Sequence, residues 1–333
     1  MTRAAILGAG SWGTALAIHL ARSGTSAVLW TRSDETAVSL SAARENVLYL
    51  PGHRFPESLE VTPDLAQALR AATLVLFVAP AQVSRALFRA AAPHLGQGAD
   101  RVIASKGIEQ ATVLRLSQVL AEEVGPEAIP RTTVVSGPSF AAEVARGEPT
   151  AMVVAGSDAA ALGRAQEILA AGNVRVYRNS DLAGVELAGA LKNVIAIATG
   201  IAEGIGLGSN SRAALITRGL AEMARLGTAL GGRAATFAGL AGVGDLVLTC
   251  TGRLSRNRQV GIRIGRGDRL EEILAGMRMV AEGVSTARAA VDLAARFSVE
   301  VPIAAKVHEV LFEGRAPRDA VADLLSRPLK EEE

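Results

Sequence analysis

The 333-residue chain has a single cysteine, Cys250, and aromatic residues make up only 3% of it. One cysteine excludes an internal disulfide and a cysteine-rich metal site. A chain that does not depend on disulfides is typical of a reducing compartment. We therefore expect a cytoplasmic protein.

Metal-ligand spacing, a basic patch and a long apolar run are also missing from the sequence. The four histidines are scattered and lack the spacing of metal ligands, so no metal is expected. The 35 basic and 33 acidic residues are well mixed and give a formal charge of +2, which argues against a nucleic-acid partner. No uninterrupted apolar run approaches the roughly 18 residues that suggest a membrane span.

Lysine is scarce, because only four of the 35 basic residues are lysine. Where arginine is the usual basic residue, a lysine indicates a need for an ammonium group rather than a guanidinium. Lys330 lies in a polar tail, and Lys306 is expected on a helix surface. Lys106 and Lys192 lie in glycine-rich or apolar surroundings. These two lysines are therefore the candidates for chemistry.

A glycine pattern, GAGSWG, occupies residues 8–13 between an apolar run and an apolar helical pattern. In a dinucleotide-binding turn, a glycine at the position of Gly8 permits the tight turn, and one at Gly10 lets the backbone approach the pyrophosphate. A glycine at Gly13 lets the helix pack closely on the strand. The helix N-terminus offers unpaired N–H groups to the pyrophosphate. A purely structural turn is the alternative, but the flanking strand and helix favour a dinucleotide site.

The chain divides into two parts by its hydrophobic pattern. Short apolar runs alternate with helical patterns over residues 1–182, which predicts an α/β domain with a mainly parallel sheet. Residues 183–333 show helical patterns only, so an all-α domain is expected there. Ligands bind at the carboxyl ends of the strands in such sheets. The runs expected as strands are residues 4–7, 27–30, 74–78, 102–105, 133–136, 151–155 and 174–177.

Cofactor choice depends on the residues after the second predicted strand. An Asp or Glu is common there in NAD sites, but this chain has Arg32, whose guanidinium can bind a 2′-phosphate with two hydrogen bonds. Asp34, two residues further on, can instead cap the next helix. A solvated Arg32 is the alternative. The sequence favours NADPH and leaves NADH open.

Two polar segments follow predicted strands. Lys106 comes directly after the strand at residues 102–105, which places its ammonium at the carboxyl edge of the sheet. Ser139 follows the strand that ends at Ser136 and is predicted to cap a helix whose N–H groups face an anion. The alternative for Ser139 is a cap with no ligand.

Two more segments lie in the helical part. Lys192 stands in the middle of an apolar helix, where it either extends its ammonium to the surface or lies in a cleft with a lowered pKa. The glycine-rich residues 239–244 lead to Asp245, and Ser255, Arg256 and Asn257 follow. A guanidinium beside neutral donors is suited to a phosphate.

With these residues assembled, the chain resembles the bacterial NAD(P)-dependent glycerol-3-phosphate dehydrogenases over nearly its whole length. One departure is the sequence Gly-Ser-Asn at residues 208–210, where Gly-Asp-Asn is expected. The motifs that carry the resemblance are residues 8–17 (GAGSWGTALA), 105–107 (SKG), 137–141 (GPSFA), 191–194 (LKNV), 213–222 (AALITRGLAE), 240–252 (LAGVGDLVLTCTG) and 255–257 (SRN).

The resemblance implies a Rossmann-type domain joined to a helical domain of the 6-phosphogluconate dehydrogenase C-terminal type, in a homodimer. It implies that dihydroxyacetone phosphate and sn-glycerol 3-phosphate are interconverted for phospholipid synthesis, with Lys192 as the catalytic acid/base. The residues implied to hold the substrate are Lys106, Gly137, Ser139, Lys192, Asp245, Ser255, Arg256 and Asn257. Those expected at the cofactor are Gly8, Gly10, Ser11, Trp12, Gly13, Arg32, Lys106, Ala141, Arg256, Val280 and Glu282.

Three alternatives share parts of this pattern. A β-hydroxyacid or 6-phosphogluconate-type dehydrogenase has a similar two-domain plan and a helix lysine, but residues 239–257 favour the glycerol phosphate enzymes. A nucleotide-sugar dehydrogenase needs a nucleophilic cysteine, whereas Cys250, in the sequence Leu-Thr-Cys-Thr at residues 248–251, is expected to be buried. An NADPH sensor without activity does not need two lysines in the cleft together with a phosphate cradle.

Overall fold

The computed structural model describes residues 2–329 and residue 331. Its main sheet has eight strands in the order β10-β9-β8-β7-β6-β1-β2-β5, and β3 and β4 form a separate hairpin. All neighbouring pairs of the main sheet are parallel except β8 and β9. The strands are β1 (Arg3–Leu7), β2 (Ser26–Trp30), β3 (Glu45–Asn46), β4 (Leu50–Arg54), β5 (Leu59–Thr62), β6 (Leu74–Phe77), β7 (Asp100–Ile103), β8 (Thr132–Ser136), β9 (Thr150–Ala155) and β10 (Val174–Asn179).

Helices cover both faces of the sheet, as the alternating pattern predicts for a buried parallel sheet. The central strand β1 is buried over residues 4–7, and so is the whole of β6. The helices of this part are α1 (Ser11–Arg22), α2 (Asp34–Ala43), α3 (Leu65–Leu69), α4 (Ala81–Ala91), α5 (Leu116–Val124), α6 (Ala141–Arg146) and α7 (Ala159–Leu169).

No strand follows Asn179 in the described part of the chain, which confirms the prediction of a helical second half. A π-helical turn at Leu240–Gly244 leads directly into α11. The helices are α8 (Leu182–Gly204), α9 (Ser209–Ala229), α10 (Ala234–Phe237), α11 (Asp245–Thr251), α12 (Arg256–Gly265), α13 (Leu270–Ala275), α14 (Glu282–Phe297), α15 (Pro302–Phe312) and α16 (Pro317–Leu325).

Helix α8 is the centre of the helical half. Of its 23 residues, 18 are buried, as expected for a helix that is apolar on all sides. Glycines let α12 pack backbone to backbone on α8: a Cβ on Gly200 would lie 2.2 Å from the Arg258 carbonyl oxygen, and one on Gly261 would lie 2.2 Å from that of Ile197. This close packing holds α12 against the C-terminal half of α8, the helix that carries Lys192.

Two helical segments are long and apolar enough to be tested as membrane spans. The most apolar window of Leu182–Gly204 is 94% buried inside the protein, as in the core helix of a globular fold. The segment Ala234–Thr251 meets the same criteria at 44% burial, but it carries Asp245 and contains the π-helical turn.

Several local predictions were wrong. The sequence reading missed the edge strand β5 and the β3–β4 hairpin. Helix α2 is capped by the Ser33 hydroxyl, which accepts from the Thr36 N–H, whereas Asp34 is the first helical residue.

Candidate active site

The glycine turn joins β1 to α1 at the carboxyl edge of the sheet. Gly8 has φ +126°, a conformation that side chains rarely adopt, and a Cβ on Gly13 would lie 1.9 Å from the Gly8 carbonyl oxygen. A Cβ on Gly10 would meet no described atom within 4 Å. Helix α1 begins at Ser11 without a side-chain cap. Open space beside an uncapped helix N-terminus fits the pyrophosphate of a dinucleotide.

Arg32 lies two residues after the end of β2, the strand that pairs with β1. Its side chain is exposed and makes no hydrogen bond or ion pair with the described residues. The next helix is capped by Ser33, so the Arg32 side chain is not needed for capping. An exposed guanidinium without a partner can bind an anionic group.

Two lysines and one carboxylate form the centre of the cleft between the sheet and the helical half. Lys192 Nζ donates to Asp245 Oδ1 at 2.8 Å and to Thr249 Oγ1 at 2.7 Å. Lys106 Nζ donates to Asp245 Oδ2 at 2.7 Å and to the Gly137 carbonyl oxygen at 3.0 Å. Asp245 therefore bridges the two ammonium groups. We call Lys106, Lys192 and Asp245 the lysine–aspartate centre.

Burial decides the charge state of this centre. The side chains of Lys192 and Asp245 are only 7% and 2% exposed, so the alternative in which Lys192 extends to the surface is excluded. Burial lowers the pKa of Lys192 from 10.5 to about 8, and the Asp245 carboxylate limits the fall. Burial alone would raise the pKa of Asp245, but Lys106 and Lys192 hold it below its usual value. Lys192 can therefore gain and lose a proton close to neutral pH.

The segment at residues 137–141 contributes to the centre differently from the prediction. Phe140, not Ser139, is the N-cap residue of α6, and it makes no side-chain capping bond. The Ser139 hydroxyl instead donates to the Gly137 carbonyl at 2.9 Å, the same oxygen that accepts from Lys106. Ser139 is thus held at the cleft by the strand end rather than by the short helix.

The segment at residues 255–257 is already engaged in internal bonds. Ser255 caps α12 by accepting from the Arg258 N–H at 3.2 Å. Asn257 Nδ2 donates to Asn193 Oδ1 at 2.8 Å, and Asn257 Oδ1 accepts from the Gly283 N–H at 2.9 Å. The position of Asn193, one residue after Lys192, ties this segment to α8. A substrate role for Ser255 and Asn257 stays a prediction.

Arg256, Val280 and Glu282 lie where the helical half meets the sheet domain. Arg256 Nη1 donates to the Val280 carbonyl at 2.7 Å. Glu282 Oε1 accepts from the N–H of Ala81, the first residue of α4, at 3.0 Å. Glu282 Oε2 is buried without a partner among the described residues. Burial raises the pKa of Glu282 to about 7.

Comparisons with known proteins identify the family. A sequence model described as the NAD-dependent glycerol-3-phosphate dehydrogenase N-terminus matches residues 3–162, and one described as the C-terminus of the same enzymes matches residues 181–322. The chain belongs to this family.

Relatives and solved structures agree with the family models. The chain is 52% identical over 328 residues to a glycerol-3-phosphate dehydrogenase (NAD(P)+) from Geobacter sp. (strain M21), covering 98% of each. It is 48% identical to one from Pelotomaculum thermopropionicum, covering 98% of this chain and 93% of that one. The crystal structure of a glycerol-3-phosphate dehydrogenase from Coxiella burnetii has a TM-score of 0.93 and 40% identity, covering 98% and 99%.

More distant structures show the fold alone. A ketopantoate reductase from Ralstonia eutropha has a TM-score of 0.62 at 15% identity, so it says nothing about the substrate. The cysteine alternative loses support from the structure, because Cys250 is fully buried and burial raises the pKa of its thiol to about 12. A thiol that stays protonated is a poor nucleophile.

Sequence reasoning missed two residues that lie beside the lysine–aspartate centre. Thr249 accepts from Lys192 and donates to the Asp245 carbonyl at 2.6 Å. Asn193 links Lys192's helix to α12. Thr249 lies four residues after Asp245 on α11, so the i,i+4 spacing of one helix face was the available signal. The Asn193–Asn257 contact joins residues 64 apart and has no local signal.

Proposed function

We propose that the protein reduces dihydroxyacetone phosphate to sn-glycerol 3-phosphate with NADPH or NADH, reversibly. The observation that carries this proposal is the lysine–aspartate centre, with the buried Lys192 ammonium held between Asp245 and Thr249. Membership of the glycerol-3-phosphate dehydrogenase family supports this choice of substrate. The product is a precursor for phospholipid synthesis.

When bound, the reduced nicotinamide supplies a hydride for the C2 carbonyl of the substrate. Negative charge then develops on the carbonyl oxygen. Lys192 donates a proton to this oxygen, and its positive charge stabilises the transition state. In the reverse direction the neutral Lys192 amine accepts the proton of the C2 hydroxyl. A pKa of about 8 lets one group serve both directions near neutral pH.

The other residues of the site hold the substrate. Lys106 and Asp245, with Gly137 and Ser139, orient the substrate oxygens around the carbonyl. Arg256 binds the phosphate, with Ser255 and Asn257 beside it. The phosphate takes no part in the chemistry, so its binding energy positions the carbonyl for transfer.

The cofactor is held along the carboxyl edge of the sheet. Gly8, Gly10 and Gly13 shape the turn, while the backbone of Ser11 and Trp12 opens the helix towards the pyrophosphate. Arg32 binds the adenosine end and favours NADPH. The remaining residues assigned to the cofactor are Lys106, Ala141, Arg256, Val280 and Glu282.

Three further assignments belong to this proposal. Residues 1–182 form the cofactor domain and residues 183–333 the catalytic domain, although one hydrophobic cluster runs from the sheet into the helices. The protein is a cytoplasmic homodimer, and sedimentation analysis of the purified protein tests the dimer.

The activity is tested by absorbance at 340 nm with purified protein, NADPH and dihydroxyacetone phosphate, with NADH in parallel. We expect rapid oxidation that is lost with dihydroxyacetone, which lacks the phosphate. No oxidation by a protein that binds NADPH would reject the proposed substrate.

A further inference from the structure

The β3–β4 hairpin is not part of the main sheet, and among the described residues it hydrogen-bonds to the glycine turn through one side chain, that of Asn46. Asn46 ends β3 and is only 1% exposed. Its Nδ2 donates to the Ala9 carbonyl oxygen at 2.9 Å and to Thr14 Oγ1 at 2.8 Å. Its Oδ1 accepts from the Tyr49 N–H at 3.1 Å. Both amide protons are therefore used on the turn and on the helix that follows it.

The bond to Ala9 fixes the direction of the next N–H group. The structure has no cis peptide among the described residues, and in a planar trans peptide the N–H points opposite to the preceding C=O. Because the Ala9 carbonyl points to Asn46, the Gly10 N–H points away from the hairpin. No described group accepts from this N–H. The hairpin thus leaves the Gly10 N–H available to a ligand.

The bond to Thr14 fixes the start of α1. Thr14 is fully buried, and its N–H donates to the Gly10 carbonyl at 2.9 Å. Asn46 therefore holds the peptide before Gly10 and the first turn of α1 at the same time. The turn and the helix N-terminus are kept in one relative position, which is what binding a pyrophosphate between them requires.

A second side chain from outside reaches this region with a weaker contact. Ser11 Oγ donates to Met279 Sδ at 3.1 Å, and a thioether is a weak acceptor. This contact involves a side chain and leaves the backbone of the turn unconstrained. Among the described side chains, Asn46 is the one that hydrogen-bonds to the backbone of the turn.

We propose that Asn46 is a positioning residue of the dinucleotide site, which sets affinity for the cofactor by holding the Ala9–Gly10 peptide and the start of α1. The inference rests on the proposed function only in that the site takes NAD(P)H. Direct binding measurements separate the two, because binding is read without turnover of any substrate.

The test compares Asn46→Ala with Asn173→Ala as a matched control. Asn173 also donates its amide to a backbone carbonyl, that of Gly147 at 2.7 Å, but on an exposed loop away from the glycine turn. Calorimetric titration with NADPH and with NADH gives the dissociation constant and the number of competent sites. We expect Asn46→Ala to weaken cofactor binding about tenfold, since two hydrogen bonds are lost. The number of sites should not change, and the control should bind like wild type.

Asn46→Asp adds a readout that a purely structural role would not move. A carboxylate cannot donate to the Ala9 carbonyl, and it adds negative charge near the expected pyrophosphate. We expect weaker binding than for Asn46→Ala, with the gap closing as salt is raised. If neither Asn46 variant folds, Thr14→Val removes one of the two contacts, and binding should weaken about threefold. A dissociation constant within twofold of wild type, or fewer sites at an unchanged constant, would overturn the proposal.

Discussion

The two ends of the cleft are built in opposite ways. At the catalytic end, both ammonium groups of the lysine–aspartate centre are paired with Asp245, and Lys192 and Asp245 are almost fully buried. At the cofactor end, Gly10 faces open space and the exposed Arg32 has no partner in the described chain. At the catalytic end, the positive charges of the two lysines are balanced by Asp245 within the protein. At the cofactor end, the positive charge of Arg32 is balanced only when an anionic ligand binds.

This difference matches the tasks of the two ends. A proton donor needs a fixed position and a tuned pKa before substrate arrives. At a phosphate site, the cationic side chain forms its ion pair with the bound anion, and this charge-assisted hydrogen bond contributes to the affinity. Changes at the catalytic end should therefore act on turnover, and changes at the cofactor end should act on binding.

The largest effect should come from Lys192→Ala. Removal of the proton donor should lower kcat for dihydroxyacetone phosphate reduction by about 10²–10⁴-fold, with little change in the dissociation constant of NADPH. Lys192→Arg should fail in the same way, because a guanidinium keeps its proton. Stopped-flow and steady-state assays with calorimetric binding give both quantities. Near-normal turnover by Lys192→Arg would show that Lys192 is not the proton donor.

The second effect concerns Asp245→Asn. The Asp245 carboxylate raises the pKa of Lys192 against the effect of burial, so its loss should lower that pKa further. The protonated donor then disappears at a lower pH. We expect kcat to fall about 100-fold at pH 8 and the alkaline limb of the reduction profile to move to lower pH. A pH profile that keeps its position would show that Asp245 does not tune Lys192.

These two predictions concern residues that the sequence had already marked. The glycine turn, Lys106, Lys192 and Asp245 could be found from the sequence because each lies in a local pattern: a spacing of glycines, a strand end or a lysine in an apolar helix. Strand β5 was missed because it is a four-residue edge strand. Asn46 and Asn193 were missed because their roles depend on contacts across the fold, whereas the i,i+4 spacing of Thr249 from Asp245 was a local signal that the sequence analysis did not use. The prediction that Ser139 caps a helix was wrong because the Ser139 hydroxyl donates instead to the Gly137 carbonyl.

The third effect, at the substrate phosphate, lies between the two ends. Arg256→Ala should lower kcat/KM for dihydroxyacetone phosphate about 10–100-fold, as expected for hydrogen bonds to a charged group. Activity with unphosphorylated dihydroxyacetone should change much less. Initial rates over a range of both substrates measure this. An equal loss for the two substrates would show that Arg256 does not bind the phosphate.

The smallest effect is expected at Arg32, because an exposed ion pair contributes little. Arg32→Ala should weaken NADPH binding about tenfold or less and leave NADH binding unchanged. Titrations with both cofactors measure the ratio. An equal change for NADPH and NADH would place Arg32 outside the 2′-phosphate site.

The role of Lys192 as acid and base is tested most directly by the pH dependence of kcat/KM in both directions for the wild-type protein. Reduction needs protonated Lys192, so its rate should fall as pH rises through about 8, the pKa that burial gives this group. Oxidation of sn-glycerol 3-phosphate needs the neutral amine and should rise through the same pH. Two limbs that share this pKa would support a single group acting as acid and base. Profiles flat between pH 7 and 9 would contradict the central role of Lys192.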